Sequence, residues 1–174
     1  MTAFAAALSA RAGVDLSDYA ALHAFSVQHY PTFWRSLVES MTGLDYAGDL
    51  EPVCVGDEVE HARFFPKLEL NYADNLLGTA IAPADAPALT ACHADGRRVR
   101  MTRGELRERV ERLAAALERL GLRSGDRAVA VMRNDENAVI TALAVTALGA
   151  TLSTASPEMG TEALLERFGQ LSPR

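Results

Sequence analysis

Few side chains in this sequence could do chemistry, and their spacing limits what that chemistry would be. The histidines are His23, His29, His61 and His93, none with a Ser, Cys or carboxylate at a recognised catalytic spacing. They read as satisfied structural histidines. Cys54 and Cys92 belong to no CxxC or Cys/His metal pattern, which points to two reduced thiols. The basic run Arg97, Arg98, Arg100, Arg103, Arg107, Arg109, Arg112 is interleaved with Glu105, Glu108 and Glu111. Glu105–Arg109 and Glu108–Arg112 are four apart, so the run reads as a salt-bridged, solvated helix face. Arg97, Arg98 and Arg100 are less well paired and are where a phosphate contact would fall. The loop Arg133-Asn134-Asp135-Glu136-Asn137 has no glycine and puts two carboxylates where a pyrophosphate would sit, which excludes a dinucleotide fingerprint. No Gly-rich loop ends in Lys-Ser/Thr, which excludes a P-loop. Ser156-Pro157-Glu158-Met159-Gly160 remains, and on its own it reads as a helix start with Ser156 as N-cap and Pro157 at the first helical position.

These residues hang on a stretch from Thr102 to Ala155 that reads as helix, strand, helix, strand. Thr102-Arg103-Gly104-Glu105 is a capping box. Leu106, Val110, Leu113, Leu117 and Leu120 then follow at helical spacing, Gly121 ends the helix, and Leu122 is placed to close a Schellman ending. Ala128 to Met132 is apolar on both faces, as a strand between two helical layers must be. Asn134 is placed to cap the next helix, with Asp135 and Glu136 beside its positive end, and the apolar run Ala138 to Leu148 carries it to Gly149. Ala150 to Thr154 is a second strand, parallel to the first through a helical crossover. Upstream, Ala88 to His93 and Arg98 to Met101 flank an Asp95-Gly96 turn and predict a β-hairpin. A last helix is expected over about Gly160 to Leu171, with Leu164, Leu165 and Phe168 to bury.

The N-terminal part is built differently. A helix is predicted from Ser17 to about Gln28, with Tyr19, Leu22 and Phe25 on its apolar side. Pro31 opens a second helix carrying Phe33, Trp34, Leu37, Val38 and Met41, stopped by Gly43. Trp34 reads as an anchor for this segment rather than a ligand platform. Leu44 to Arg63 is acidic and irregular, and Asn71 is expected to cap a short helix through Leu77. Ala80 to Pro87 reads as a linker, giving a division into residues 1–80 and 81–174.

Across the 174 residues, net charge is −6 and 49% are hydrophobic, enough for a packed core but not the balance of a generic nucleic-acid binder. Residues 1–90 carry 4 basic and 12 acidic side chains, residues 91–174 carry 13 and 11, which supports two differently built parts. The apolar start, Met1 to Ala10, lacks the basic region and length of a signal peptide, and Ala138 to Ala150 is too short to span a membrane. A cytoplasmic protein with no membrane partner is the expectation.

Several motifs in order carry a resemblance. Phe33-Trp34, Phe65-Pro66 and Leu70-Asn71-Tyr72-Ala73-Asp74-Asn75-Leu76-Leu77 resemble the N-terminal region of the acetyl- and acetoacetyl-CoA synthetases, typified by "WFPG…LNYAENLL". Met101 to Leu106, Gly121-Leu122 and Gly125-Asp126-Arg127 resemble the opening of their AMP-binding domain. Ser156 to Gly160 with Arg167-Phe168-Gly169-Gln170 is similar to the "SPDFG…RFGQ" stretch of the acetoacetate-specific branch. Phe64 for Trp, Lys67 for Gly and Asp74 for Glu are departures. The resemblance implies a layered α/β AMP-binding domain: helical segment, hairpin, then α-β-α-β-α with parallel strands.

The resemblance further implies an AMP-forming acid–CoA ligase using ATP, CoA and Mg²⁺ on a small-molecule acid, acetoacetate before acetate or another short acid. It also implies that Ser156, Pro157, Glu158, Met159 and Gly160 lie near the cleft where CoA approaches. The family's phosphate loop, adenine-binding residues and adenylating lysine have no counterpart here, and Lys67 is not that lysine. No catalytic residue and no metal ligand is therefore assigned. The α/β unit stops one strand early, so the sequence reads as the truncated, by itself inactive front of such a ligase. The alternative is a stand-alone, non-catalytic module that binds a partner chain, the missing C-terminal part among them.

Overall fold

The computed structural model describes residues 2–56 and 58–174; Met1, and Asp57 within the acidic stretch, lie outside the described residues. Two compact units divide at Leu70/Asn71. Each is described by itself.

The first unit, Met1–Leu70, has three helices among its described residues: α1 (Thr2–Ala12), α2 (Tyr19–Gln28) and α3 (Tyr30–Ser40). Leu16 directs the chain from α1 into α2, and Ala5, Leu8, Leu16 and Leu22 form the core with Phe4, Phe25 and Phe33 against it. Asp18 caps α2 by accepting from the amides of Ala20 and Ala21, so the helix starts at Tyr19 rather than Ser17. Tyr19 is 79% exposed and so stands outside the apolar side expected of it. His29 caps α3, with Pro31 in its first turn, and Met41 rather than Gly43 closes it. Trp34 packs edge-to-face on Phe33 and Phe64 while remaining 40% exposed. Glu39 joins α1 to α3 through Arg11 and pairs with Arg35 at 2.8 Å, and these guanidinium groups, Arg11 first, hold its carboxyl below the ordinary 4.5.

The stretch expected to be irregular contains short antiparallel pairs. Here β1 (Ala47–Gly48) pairs with β4 (Leu68–Glu69), and β2 (Cys54–Val55) with β3 (Arg63–Phe64). Periodicity cannot reveal two-residue strands, because an alternating pattern needs at least four residues to register.

The second unit, Asn71–Arg174, follows the predicted order: α4 (Tyr72–Leu77), β5 (Pro87–Cys92), β6 (Arg98–Thr102), α5 (Arg103–Arg119), β7 (Arg127–Val131), α6 (Glu136–Ala147), β8 (Thr151–Ala155), α7 (Thr161–Gly169). Strands β5 and β6 form the antiparallel hairpin, with Gly96 at φ +85° in its turn. Strands β7 and β8 run parallel, Arg127 opposite Thr151 through Val131 opposite Ala155. Ala73 and Leu77 of α4, Met101 of β6, Leu106, Val110 and Ala114 of α5, and Ile140, Leu143 and Ala144 of α6 make one continuous core. A second cluster joins Leu122, Val145 and Ala150.

Helix α5 starts on the predicted capping box, Thr102 accepting from the Glu105 amide and Glu105 from the Thr102 amide at 2.8 Å. It ends in the Schellman pattern, with Leu122 N–H on the Leu117 carbonyl (3.0 Å) and Gly121 N–H on Glu118 (2.9 Å). Leu120 does not join the buried stripe; it is 83% exposed because the chain reverses there. Thr102→Ala removes one half of the box and is expected to cost about 1 kcal/mol, read as a lower urea midpoint of this unit.

Three further expectations change. Asp135, not Asn134, caps α6, its backbone extended and its side chain accepting from Asn137. Strands β7 and β8 are mostly half-buried or exposed rather than fully enclosed, and Val131 at the end of β7 is 49% exposed. Of the last helix's apolar residues only Phe168 is buried, while Leu165 is 70% exposed.

Candidate functional site

Beyond the carboxyl ends of β7 and β8 lies a cavity of about 750 Å³. Its walls come from three sources: the hairpin tip (Cys92, His93, Asp95, Arg97), the segment entering α6 (Arg133 to Asp135), and Ser156, Pro157 and Glu158 after β8. A smaller one of about 250 Å³ adjoins it, lined by Met132, Arg133, Asn134, Thr154 and Ser156 among others. Open α/β sheets hold ligands at the carboxyl ends of their strands, since loops there converge while the strands stay rigid.

The predicted site segment divides at this wall. Ser156, Pro157 and Glu158 line the cavity, whereas Met159 is half-buried outside the lining and Gly160 begins α7. Ser156 is not a helix N-cap with Pro157 at the first helical position. Its Oγ accepts from the Glu158 amide at 3.3 Å and its carbonyl from Met159 at 3.1 Å, closing a turn that ends before the cap of α7 at Gly160. Gly160 stands at the cap of α7 with no side-chain bond to offer.

Sequence reasoning missed an organised group that ties this wall to α6. His93 Nε2 lies 2.9 Å from Glu136 Oε2, with side chains only 18% and 10% exposed, and Arg97 reaches His93 Nδ1 at 3.1 Å. His93 and Glu136 stand 43 residues apart, so no spacing rule could pair them. The one available signal was the carboxylate pair at the mouth of α6, which the sequence accounts for as partners of the helix's positive end and as an obstacle to a pyrophosphate.

The basic run is also sorted by the fold. Glu108 and Arg112 pair on the solvated side of α5 at 2.8 Å, as expected. Glu105 is occupied by its capping role instead. Arg103 and Arg107 turn inward: Arg103 donates to the carbonyls of Leu76 and Gly78, and Arg107 to that of Leu77. They thus close the carboxyl end of α4, where unpaired carbonyls carry partial negative charge. Arg133 has no ion pair or side-chain hydrogen bond among the described residues. Among the described residues no group of three or more His, Cys, Asp or Glu is placed to hold a metal ion. No helix is long and apolar enough to cross a membrane among the described residues.

The α/β order of the second unit, with its hairpin, parallel pair and cavity at the strand ends, belongs to an adenylate-forming fold, and residues 79–174 match the AMP-binding enzyme family. This chain belongs to that family. The resemblance to acetoacetyl-CoA synthetases holds along its whole length. It is 36% identical to the acetoacetyl-coenzyme A synthetase of Rhizobium meliloti (strain 1021) over 94% of this chain and 25% of that protein. It is 33% identical to the acetoacetyl-CoA synthetase of Macaca fascicularis, over 100% of this chain and 26% of the relative. The solved acetoacetyl-CoA synthetase from Streptomyces lividans superposes with a TM-score of 0.90 at 33% identity, covering 99% of this chain and 27% of that one. The chain therefore spans about a quarter of the length of the relatives it matches.

Proposed function

We propose that this chain is the N-terminal portion of an acetoacetate–CoA ligase, residues 1–80 forming its N-terminal region and 81–174 opening its AMP-binding domain. The observation that carries the reading is the agreement with the Streptomyces lividans enzyme over 99% of the chain. In the complete enzyme an acetoacetate carboxylate oxygen attacks the α-phosphorus of ATP, the bond to the β-phosphate bridge breaks, and pyrophosphate leaves. The thiolate of CoA then attacks the acyl carbon and AMP departs with its pair of electrons on oxygen. This chain carries none of the groups that stabilise either step, so by itself it is inactive. Its contribution is to shape the approach to the acyl-adenylate: Ser156, Pro157 and Glu158 form part of a wall that CoA passes, with Met159 and Gly160 setting the turn behind it. What supports that assignment is the cavity at the carboxyl ends of β7 and β8.

Two assays test the proposal. The chain alone, given acetoacetate, ATP and Mg²⁺, is expected to exchange pyrophosphate into ATP no faster than a blank. A chimera in which this chain replaces the corresponding quarter of the Streptomyces lividans enzyme is expected to exchange with acetoacetate and to form acetoacetyl-CoA. A folded, soluble chimera that adenylates acetate but not acetoacetate, or nothing at all, would sink the assignment.

A further inference from the structure

We propose that Glu136, His93 and Arg97 form a proton-operated latch, with His93 and Arg97 on the wall of the cavity beyond the carboxyl ends of β7 and β8. The inference does not depend on the ligase reading, because it concerns only groups within this chain.

The chemistry of the three groups fixes the direction of each bond. A guanidinium has donors and no acceptor, so His93 Nδ1, 3.1 Å from Arg97, must present its lone pair. The ring proton then sits on Nε2 and is donated to Glu136 Oε2 at 2.9 Å. The neutral ring is thus held as one tautomer between a cation and an anion. Glu136 is 8% exposed, and a carboxylate so placed requires a donor.

The latch joins parts that the backbone does not. His93 and Arg97 face each other across the hairpin turn, tied by His93 N–H to the Arg97 carbonyl at 2.9 Å and Gly96 N–H to the His93 carbonyl at 2.9 Å. Glu136 is the first residue of α6. The side-chain chain therefore pins the hairpin tip, which lines the cavity, to the first residue of α6, directly after the lining residues Arg133 to Asp135.

A proton on the ring breaks one link and keeps the other. Nδ1 becomes a donor facing a donor, with like charges in contact, so Arg97 must leave. Nε2–H stays on Glu136 and becomes a charge-assisted bond. The charged groups that line the cavity beside the latch are Asp95 and Arg97 on the hairpin, Arg133 and Asp135 before α6, and Glu158 after β8. Carboxylates therefore stand on both sides of the cavity to receive the released guanidinium. Protonation changes the tip from one tied by the Arg97 guanidinium to one whose guanidinium is released beside these carboxylates.

The test is nitrogen NMR on the isotopically labelled 174-residue chain across pH. At high pH the His93 ring is expected to show an unprotonated Nδ1 and a protonated Nε2. On acidification the Arg97 side-chain signal is expected to shift with the same midpoint as the His93 ring. A protonated Nδ1 at high pH, or an Arg97 signal indifferent to the His93 titration, overturns the latch. His93→Gln supplies both an acceptor and a donor without titrating, and it should hold the Arg97 signal constant over that range. An Arg97 shift that persists in His93→Gln also overturns the latch; should that variant not fold, the unsubstituted chain still decides.

Discussion

Asn71→Ala is expected to destabilise the second unit by about 2–4 kcal/mol, summing the loss of a helix cap with that of a buried polar contact. The Asn71 side chain serves two ends at once. Its Oδ1 accepts from the amides of Ala73 (3.0 Å) and Asp74 (3.2 Å), capping α4. Its Nδ2 donates at 2.9 Å to the carbonyl of Ala147, 76 residues away, the last residue of α6. Alanine leaves the Ala73 amide unpaired on a residue that is 0% exposed, and leaves the Ala147 carbonyl short of its donor. Asn71→Asp separates the two roles: it keeps the acceptor that caps α4 but sets a carboxylate against a carbonyl. Urea unfolding with amide exchange at α4 and α6 reads both variants. A change below about 0.5 kcal/mol in Asn71→Ala, the range of an ordinary surface substitution, would remove Asn71 as the tie between these helices.

Gly48→Ala in the first unit is expected to cost about 3 kcal/mol or more, because strained backbone and steric overlap act together. Gly48 lies at φ +90°, and a Cβ built on it would stand 1.9 Å from the backbone oxygen of Lys67. That oxygen belongs to the opposing chain, next to the Gly48–Leu68 pair, and also accepts from the Asp49 amide at 3.3 Å. A two-residue ladder has no slack with which to move away. Gly96→Ala provides the contrast: φ is +85° but nothing lies within 4 Å, so only the conformational cost of about 1 kcal/mol applies. The sequence has one tryptophan, Trp34, and it lies in the first unit, so its fluorescence follows Gly48→Ala directly. Unchanged protection of the β1–β4 amides in Gly48→Ala would show that the close approach of Lys67 is not a constraint.

What could be read from the sequence was what neighbouring residues settle between themselves. The Thr102–Glu105 box, the Gly121 ending, the Asp95-Gly96 turn and the Asn71 cap each involve contacts over a few residues, and each stands where expected. Hydrophobic period placed α5, and apolar runs bounded by glycine and turn residues placed α6 and the parallel strands, for the same reason. The motif from Leu70 to Leu77 pointed to the family, although its physical content is a capped turn of helix that buries Ala73 and Leu77. Where several residues could fill one local role, the choice went astray: Asp135 and not Asn134 caps α6, and Ser156 closes a turn instead of opening a helix.

The tertiary structure alone decided which distant groups meet. It brought Glu136 to His93, turned Arg103 and Arg107 from the expected solvated face onto the end of α4, and set Gly48 against Lys67. None of these pairings has a sequence period, because loop closure costs little more for forty residues than for twenty. Contacts of that kind follow from the packing of whole helices and strands, which leaves no mark in the spacing of the residues that touch.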